Sequence, residues 1–157
     1  MPDYGLEEVI TETRRNAYSA LYITGGPMEH GEPLSEYKTY AELGAATLVK
    51  LGVSTPPPQA VPAKEVYKDR TYFSAVALRD WLKAHGAMPK KLTLVSLGAH
   101  SRRSRLLFEK AFGSDVEIGI IAVPDRGYDA SRWWRSSQGF RVVTDEFIGY
   151  LYARFVF

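Results

Sequence analysis

The chain has 157 residues, no cysteine and a formal net charge of +2 at pH 7. This length fits one domain with a sizeable core, and the lack of cysteine excludes disulfides, thiolate metal sites and a cysteine nucleophile. The charges are nearly balanced and form no block of one sign, so they give no indication of a nucleic-acid partner. No apolar run approaches the roughly 20 residues of a membrane span, and residues 1–10 lack the pattern of a signal peptide. We therefore expect a soluble chain, most simply a cytoplasmic one.

Segments with helical periodicity alternate with short apolar runs along the whole sequence. Residues spaced three or four apart indicate the helices, and apolar runs bounded by glycine or proline indicate the strands. This alternation predicts a parallel sheet with helices on both faces, that is, a three-layer, Rossmann-like α/β fold in a single domain, residues 1–157. The predicted elements are a helix at 6–18, a strand at 19–24, a helix at 35–51, an edge strand at 59–63, a helix at 71–86, a strand at 92–97, a helix at 101–112, a strand at 116–123, a short helix at 132–136 and a last helix at 140–157.

The first predicted strand runs directly into Gly25-Gly26-Pro27. Glycines at a strand end permit close approach of the backbone to a ligand, so Gly25 and Gly26 are candidate binding residues. Ser35 is suited to cap the following helix, which would place Glu36 in its first turn. Glu36 there either complements the helix dipole or faces the crevice at the strand ends.

The most informative stretch is the strand at 92–97 and the residues that follow it. Gly98 and Ala99 predict a tight turn that leaves His100 at the carboxyl end of the strand, where open α/β sheets bind ligands. Three arginines, Arg102, Arg103 and Arg105, then crowd the start of a helix. The helix dipole disfavours cations there by about 0.3–1 kcal/mol each, and a bound anion would relieve that conflict. The alternative is that two or three of these arginines are simply solvated.

Other polar and aromatic residues give weaker signals. Arg70-Thr71 stands at a predicted helix start, where a capping threonine beside a surface arginine is the simpler interpretation. Adjacent Trp133 and Trp134 cannot both face the sheet, so one of them is free to cover the crevice, although packing of both is the commoner outcome. His30 and His85 are expected to face solvent, and the histidine spacing gives no metal site.

In their order and spacing, these segments resemble a bacterial family of unknown function typified by SanA and YdcF and associated with cell-envelope biogenesis. The resemblance rests on Thr-Gly-Gly, Ser-Glu, Arg-Thr, Ala-His-Ser-Arg-Arg and Trp-Trp-x-Ser followed by a late acidic helix, from about residue 20 onward. It implies a polar set consisting of Gly25, Gly26, Glu36, Arg70, Thr71, His100, Arg103 and Trp134.

This sequence departs from the family pattern in two places. The family usually has Asn-Thr where this chain has Arg70-Thr71. Members also open with a strand of the form Ala-Ile-Val-Val-Leu-Gly-Gly, and this sequence begins at the helix that would follow it. We expect a sheet without that central strand to leave unpaired edges that favour self-association.

The function expected from these features is binding, with or without transformation, of a small anionic ligand at the strand ends. His100 and Glu36 would act in acid–base chemistry, while Gly25, Gly26, Arg70, Thr71, Arg103 and Trp134 would bind the ligand. For the family, a nucleotide-like molecule such as S-adenosylmethionine and a phosphorylated envelope precursor are both compatible ligands. The alternative is a non-catalytic module that senses a ligand or acts as a scaffold in envelope biogenesis.

Overall fold

The computed structural model describes residues 1–29 and 31–157, apart from the side chain of Glu32. The chain folds as two compact units. The C-terminal unit comprises Met1–Gly5 and Pro89–Phe157, and the N-terminal unit comprises Leu6–Met88. The expectation of one domain stays a prediction. The helices and strands are α1 (Asp3–Arg15), β1 (Leu21–Gly25), α2 (Tyr40–Lys50), β2 (Pro58–Pro62), α3 (Arg70–Ala84), β3 (Lys91–Leu97), α4 (His100–Phe112), β4 (Glu117–Val123) and α5 (Ser137–Phe155).

The N-terminal unit is built on two parallel strands. β1 pairs with β2 in the register that places Leu21 beside Pro58. The Tyr22 ring lies 5.3 Å from the ring of Trp81 on α3, whereas the next residue, Ile23, lies against Gly44 of α2. Successive side chains of a strand point to opposite faces. A helix therefore covers each face of this small sheet.

The C-terminal unit is also built on two parallel strands, β3 and β4, in the register that places Lys91 beside Glu117. α4 packs on both strands, and α5 packs on α4. The inner face of α4 is apolar, as the periodicity predicts, because leucine and phenylalanine recur on it at helical spacing. Its buried large residues are Leu106, Leu107, Phe108 and Phe112.

The predicted α/β class and the parallel strand pairing are confirmed. A continuous Rossmann-like sheet requires more strands than either two-stranded sheet contains, so that finer arrangement stays a prediction. Within the described residues, no helix has both the length and the apolar character needed to cross a bilayer.

The predicted start of the second helix is wrong. α2 begins at Tyr40, and its cap is Thr39, whose hydroxyl accepts from the Glu42 amide while the Glu42 carboxylate accepts from the Thr39 amide. These reciprocal bonds form a capping box that satisfies two amides at the helix start. Ser35 instead accepts a hydrogen bond from the Tyr37 amide in the preceding loop. Glu36 is therefore a loop residue and not part of the first turn.

Candidate functional site

The site at the end of β3 begins with a glycine that no other residue can easily replace. Gly98 has φ +45°, a left-handed conformation that favours glycine. A Cβ atom at this position would lie 3.0 Å from Cβ of Asp125 and 3.3 Å from the hydroxyl of Tyr128. The turn brings His100, one residue earlier than predicted, to the first position of α4.

His100, Arg103 and Glu146 form a hydrogen-bonded cluster between α4 and α5. Arg103 donates from Nε to Oε2 of Glu146 at 2.7 Å and from Nη2 to Oε1 at 3.0 Å. Nδ1 of His100 lies 3.0 Å from Oε1 of Glu146 and 3.0 Å from Nη2 of Arg103. The side chain of Glu146 is 19% exposed and that of His100 is 36% exposed. The structure thus brings together two predicted residues and a carboxylate that was not predicted.

These distances determine which nitrogen of His100 carries a proton. Nδ1 has an acceptor and a donor at equal distance, and Nη2 of Arg103 already donates to Glu146. A hydrogen bond to an ionised carboxylate is the stronger choice, so we assign the Nδ1 proton to the bond with Glu146. Nε2 of His100 has no hydrogen-bond partner within residues 1–29 and 31–157. In the neutral ring, this nitrogen holds a lone pair available to a ligand.

The cluster keeps Glu146 ionised. Burial acts to raise the pKa of Glu146, but the hydrogen bonds and positive charges of His100 and Arg103 outweigh it and lower that pKa from 4.5 to about 2. A carboxyl group with this pKa is a poor proton donor or acceptor near neutral pH. Its role is to orient and stabilise the imidazole ring, as a carboxylate partner does in other acid–base sites.

A glycine on α5 makes room for the arginine. A Cβ atom at Gly149 would lie 3.0 Å from Cδ and 3.2 Å from Nε of Arg103. Real contacts of this kind are rarely so short, and the atoms involved belong to the part of Arg103 that Glu146 holds in place. Gly149 therefore permits the two-bond pairing of Arg103 with Glu146.

The two arginines flanking Arg103 interact with the protein itself. Arg102 lies 4.3 Å above the ring of Tyr150, and Arg105 pairs with Glu109 one turn further along α4 at 2.8 Å. Protein partners thus contribute to offsetting the helix-dipole conflict of all three arginines. Arg103 uses Nε and Nη2 on Glu146, while its Nη1 makes no hydrogen bond to any described residue.

Tyr128 is a further polar group beside the start of α4. Burial raises the pKa of its phenol, as do the nearby charges of Asp125 and Glu146, whereas a hydrogen bond with the backbone of Ala99 opposes the rise. Gly139 leaves room for this residue, because an added Cβ at Gly139 would lie 3.0 Å from Cβ of Tyr128. The phenol remains protonated near neutral pH.

The described contacts of Trp134 do not include the cluster of His100, Arg103 and Glu146. Its ring meets the ring of Trp133 edge to face at 5.9 Å and is largely exposed. Trp133 in turn stacks with Phe140 of α5 at 6.1 Å. One ring of the pair is thus packed against α5 and the other is exposed, and no described contact joins Trp134 to His100.

In the N-terminal unit, Gly25 serves packing between β1 and α2. A Cβ atom there would lie 2.9 Å from Cβ of Tyr40 and 2.9 Å from the amide nitrogen of Ala41. Gly26 accepts a backbone hydrogen bond from the Tyr40 amide, and nothing lies within 4 Å of the position where its Cβ would be. Of the two predicted binding glycines, only Gly26 leaves space for another molecule.

The remaining predicted residues of this unit lie on its surface. Glu36 is exposed. Arg70 forms an ion pair with Glu29, and their side chains are 62% and 56% exposed, respectively. Thr71 does not cap α3, because that helix begins at Arg70 after Asp69, which makes no side-chain capping bond. An open depression of about 600 Å³ lies close by and is lined by Pro27, Met28, Glu29, Gly31, Pro33, Lys38, Thr39 and Glu65. His30 lies outside the described residues.

Glu146 is the functional candidate that sequence reasoning missed. It lies 46 positions from His100 in the chain, within the aromatic-rich last helix. The available signal was a pair of acidic residues, Asp145-Glu146, in a helix otherwise rich in apolar residues. A charge in such a helix needs a partner if it faces inward, and the arginine-rich start of α4 supplies one.

Comparison of the chain with protein-family models, with curated proteins and with solved structures finds no match in any of the three.

Proposed function

We propose that the junction between β3 and α4 binds a small anionic ligand, phosphorylated or nucleotide-like, and that His100 exchanges a proton with it. The observation that carries this proposal is the orientation of the ring, in which Nδ1 is bound by Glu146 at 3.0 Å and Nε2 lacks a partner among the described residues. A histidine held through one nitrogen presents the other for acid–base work. The carboxylate that acts with His100 in this proposal is Glu146, and Glu36 is not needed for it.

The charge of the cluster supports an anionic ligand. Glu146 and Arg103 neutralise one another through two hydrogen bonds, so protonation of His100 gives the cluster a net positive charge. Nη1 of Arg103 adds two N–H donors that no described residue uses. A protonated imidazole and a guanidinium edge are suited to phosphate or carboxylate oxygens. Phosphorylated envelope precursors, and S-adenosylmethionine through its carboxylate, are therefore among the compounds to test.

The test is calorimetric titration of the protein with inorganic phosphate, a nucleoside monophosphate, S-adenosylmethionine and a sugar phosphate. We expect at least one of them to bind, and His100→Gln to weaken that binding by about tenfold or more, the effect of losing a charge-assisted hydrogen bond. The matched control is His85→Gln, because His85 is exposed and bonds the carbonyl of Trp81 on α3. Equal affinities in the two variants, or no binding by any probe, would contradict the proposal.

A second candidate function is a non-catalytic scaffold, favoured by the apolar surface of α5 described below. The two functions differ in the behaviour of a bound probe. A catalyst converts the probe and loses turnover in His100→Gln, whereas a scaffold or sensor leaves the probe unchanged and shows at most a change in affinity. Product analysis of the probe that binds therefore separates them.

A further inference from the structure

α5 places a partly buried carboxylate against α4 and leaves a row of large apolar side chains exposed on its opposite side. The face toward α4 carries Glu146, Gly149 and Tyr150, which contact Arg103 and Arg102. The opposite face carries six large apolar residues whose exposed fractions run from 38% to 79%. A surface helix of a globular protein normally has the reverse arrangement. We call this exposed face the α5 stripe; its residues are Phe140, Phe147, Ile148, Leu151, Tyr152 and Phe155.

The α5 stripe is large enough to form a stable interface. A fully exposed aromatic side chain presents about 150–250 Å², so the stripe presents on the order of 700 Å² of surface. Apolar patches on monomers are usually about 300–600 Å², while a standard interface covers about 800 Å² on each partner. The stripe therefore exceeds an ordinary surface patch and approaches one side of an interface.

We propose that the α5 stripe binds the α5 stripe of a second copy of this chain in an antiparallel, two-fold symmetric pair. Four of the six stripe residues are placed symmetrically about the point between Phe147 and Ile148, and Leu151 and Tyr152 would face Thr144 and Val143. An antiparallel copy centred there places Phe140 opposite Phe155 of the second copy, and Phe147 opposite its Ile148. A surface that matches itself in this way is what a two-fold interface requires.

The charges of α5 agree with a second copy rather than with a lipid surface. The exposed charged residues of α5 are Arg141, Asp145 and Arg154, while Glu146 is paired with Arg103, so the exposed polar side carries an acidic residue and no lysine. Helices that lie on membranes have a polar face rich in lysine and arginine. At 100° per residue, Arg141 falls between Ile148 and Tyr152 near one edge of the stripe, and Arg154 falls beyond Phe147 at the other edge, so the antiparallel pair keeps these like charges apart.

Sedimentation velocity across a range of concentrations tests the pairing. We expect a reversible dimer whose dissociation constant rises at least about 30-fold in Phe147→Asp, as for loss of a central interface aromatic. The control is Tyr67→Asp, which makes the same kind of change at an aromatic residue outside the stripe that is 96% exposed. Circular dichroism should show both variants folded. A monomer at all concentrations, binding of phosphatidylglycerol vesicles by that monomer, or unfolding of Phe147→Asp alone would overturn the proposal.

Cross-linking tests the register without relying on a destabilising variant, because the chain contains no cysteine. In the antiparallel pair, the two copies of Ile148 lie close to the two-fold axis, whereas the two copies of Phe155 are about 22 Å apart at a rise of 1.5 Å per residue. We expect Ile148→Cys to form an intermolecular disulfide on mild oxidation and Phe155→Cys to form none. Cross-linking of both variants, or of neither, would overturn the antiparallel pairing.

Discussion

The carboxyl ends of β1 and β3 have similar local sequences but different local structures. β1 ends at Gly25 and β3 is followed directly by Gly98, and polar residues lie between each glycine and the next helix or begin that helix. After β1, residues of α2 occupy the space beside Gly25. The charged pair of that unit, Arg70 with Glu29, is more than half exposed. After β3, His100 and Arg103 meet a carboxylate from α5 that is largely shielded from water.

The difference arises from the element that packs against each strand end. α5 supplies Glu146 and excludes water, which strengthens every electrostatic interaction in the cluster. The pair after β1 lies on the surface, where water and salt screen the charges and an ion pair contributes about 0–1 kcal/mol. The following predictions measure this difference, beginning with the largest effect.

The contribution of the cluster to the free energy of unfolding should depend on pH between about 4.5 and 2. The folded-state pKa of Glu146 is about 2 against an ordinary value of 4.5. Its contribution to the free energy of unfolding is therefore complete above pH 4.5 and is lost as the pH falls toward 2. That loss amounts to at most about 3 kcal/mol. Urea unfolding at several pH values should show a shallower acid slope for Glu146→Gln than for the native chain.

Removal of the Glu146 carboxylate at neutral pH should lower the free energy of unfolding by less than full protonation of Glu146 does, but by a measurable amount. We expect Glu146→Ala to lower the free energy of unfolding by about 2 kcal/mol, because Arg103 then lies partly buried without its acceptor. The control is the same change at Glu29, on the exposed pair. An Ala variant at 146 as stable as the native chain would show that the cluster contributes nothing to folding.

Gly149 provides a test of the arginine position. Alanine is favoured over glycine inside a helix by about 0.8–1 kcal/mol. In the native background, we expect Gly149→Ala not to raise the free energy of unfolding by this amount, because the new Cβ meets Arg103. When Arg103→Ala is also present, we expect Gly149→Ala to raise it by the full amount. A double-mutant cycle measures this coupling. Equal effects of Gly149→Ala in the two backgrounds would mean that Arg103 has room to move.

The smallest effect is expected at the end of β1. Arg70→Ala should change the free energy of unfolding by less than about 0.5 kcal/mol, because both members of its ion pair are more than half exposed. Chemical denaturation in low and high salt checks this value. A loss of more than 1 kcal/mol in the free energy of unfolding would contradict the proposed difference between the exposed pair after β1 and the shielded cluster after β3.

Local sequence patterns predicted the elements well and the site only in part. The strand and turn that present His100 follow from an apolar run and a glycine, which are local signals. The start of α2 was misplaced because Ser35 and Thr39 both qualify as caps, and only Thr39 has a glutamate three residues later. Glu146 could not be predicted to meet His100, because the contact depends on how α5 packs on α4 and not on any nearby residue.

The state of His100 itself tests the central proposal most directly. Nitrogen NMR of the imidazole, assigned by comparison with His100→Gln, reports which ring nitrogen carries the proton and whether a ligand reaches the other. In the neutral ring we predict a proton on Nδ1, a bare Nε2, and a shift of the Nε2 resonance when inorganic phosphate or a binding probe is added. The proton should lose its preference for Nδ1 in Glu146→Ala. A proton on Nε2 in the native protein, or an Nε2 resonance that no probe shifts, would contradict the proposed role of His100.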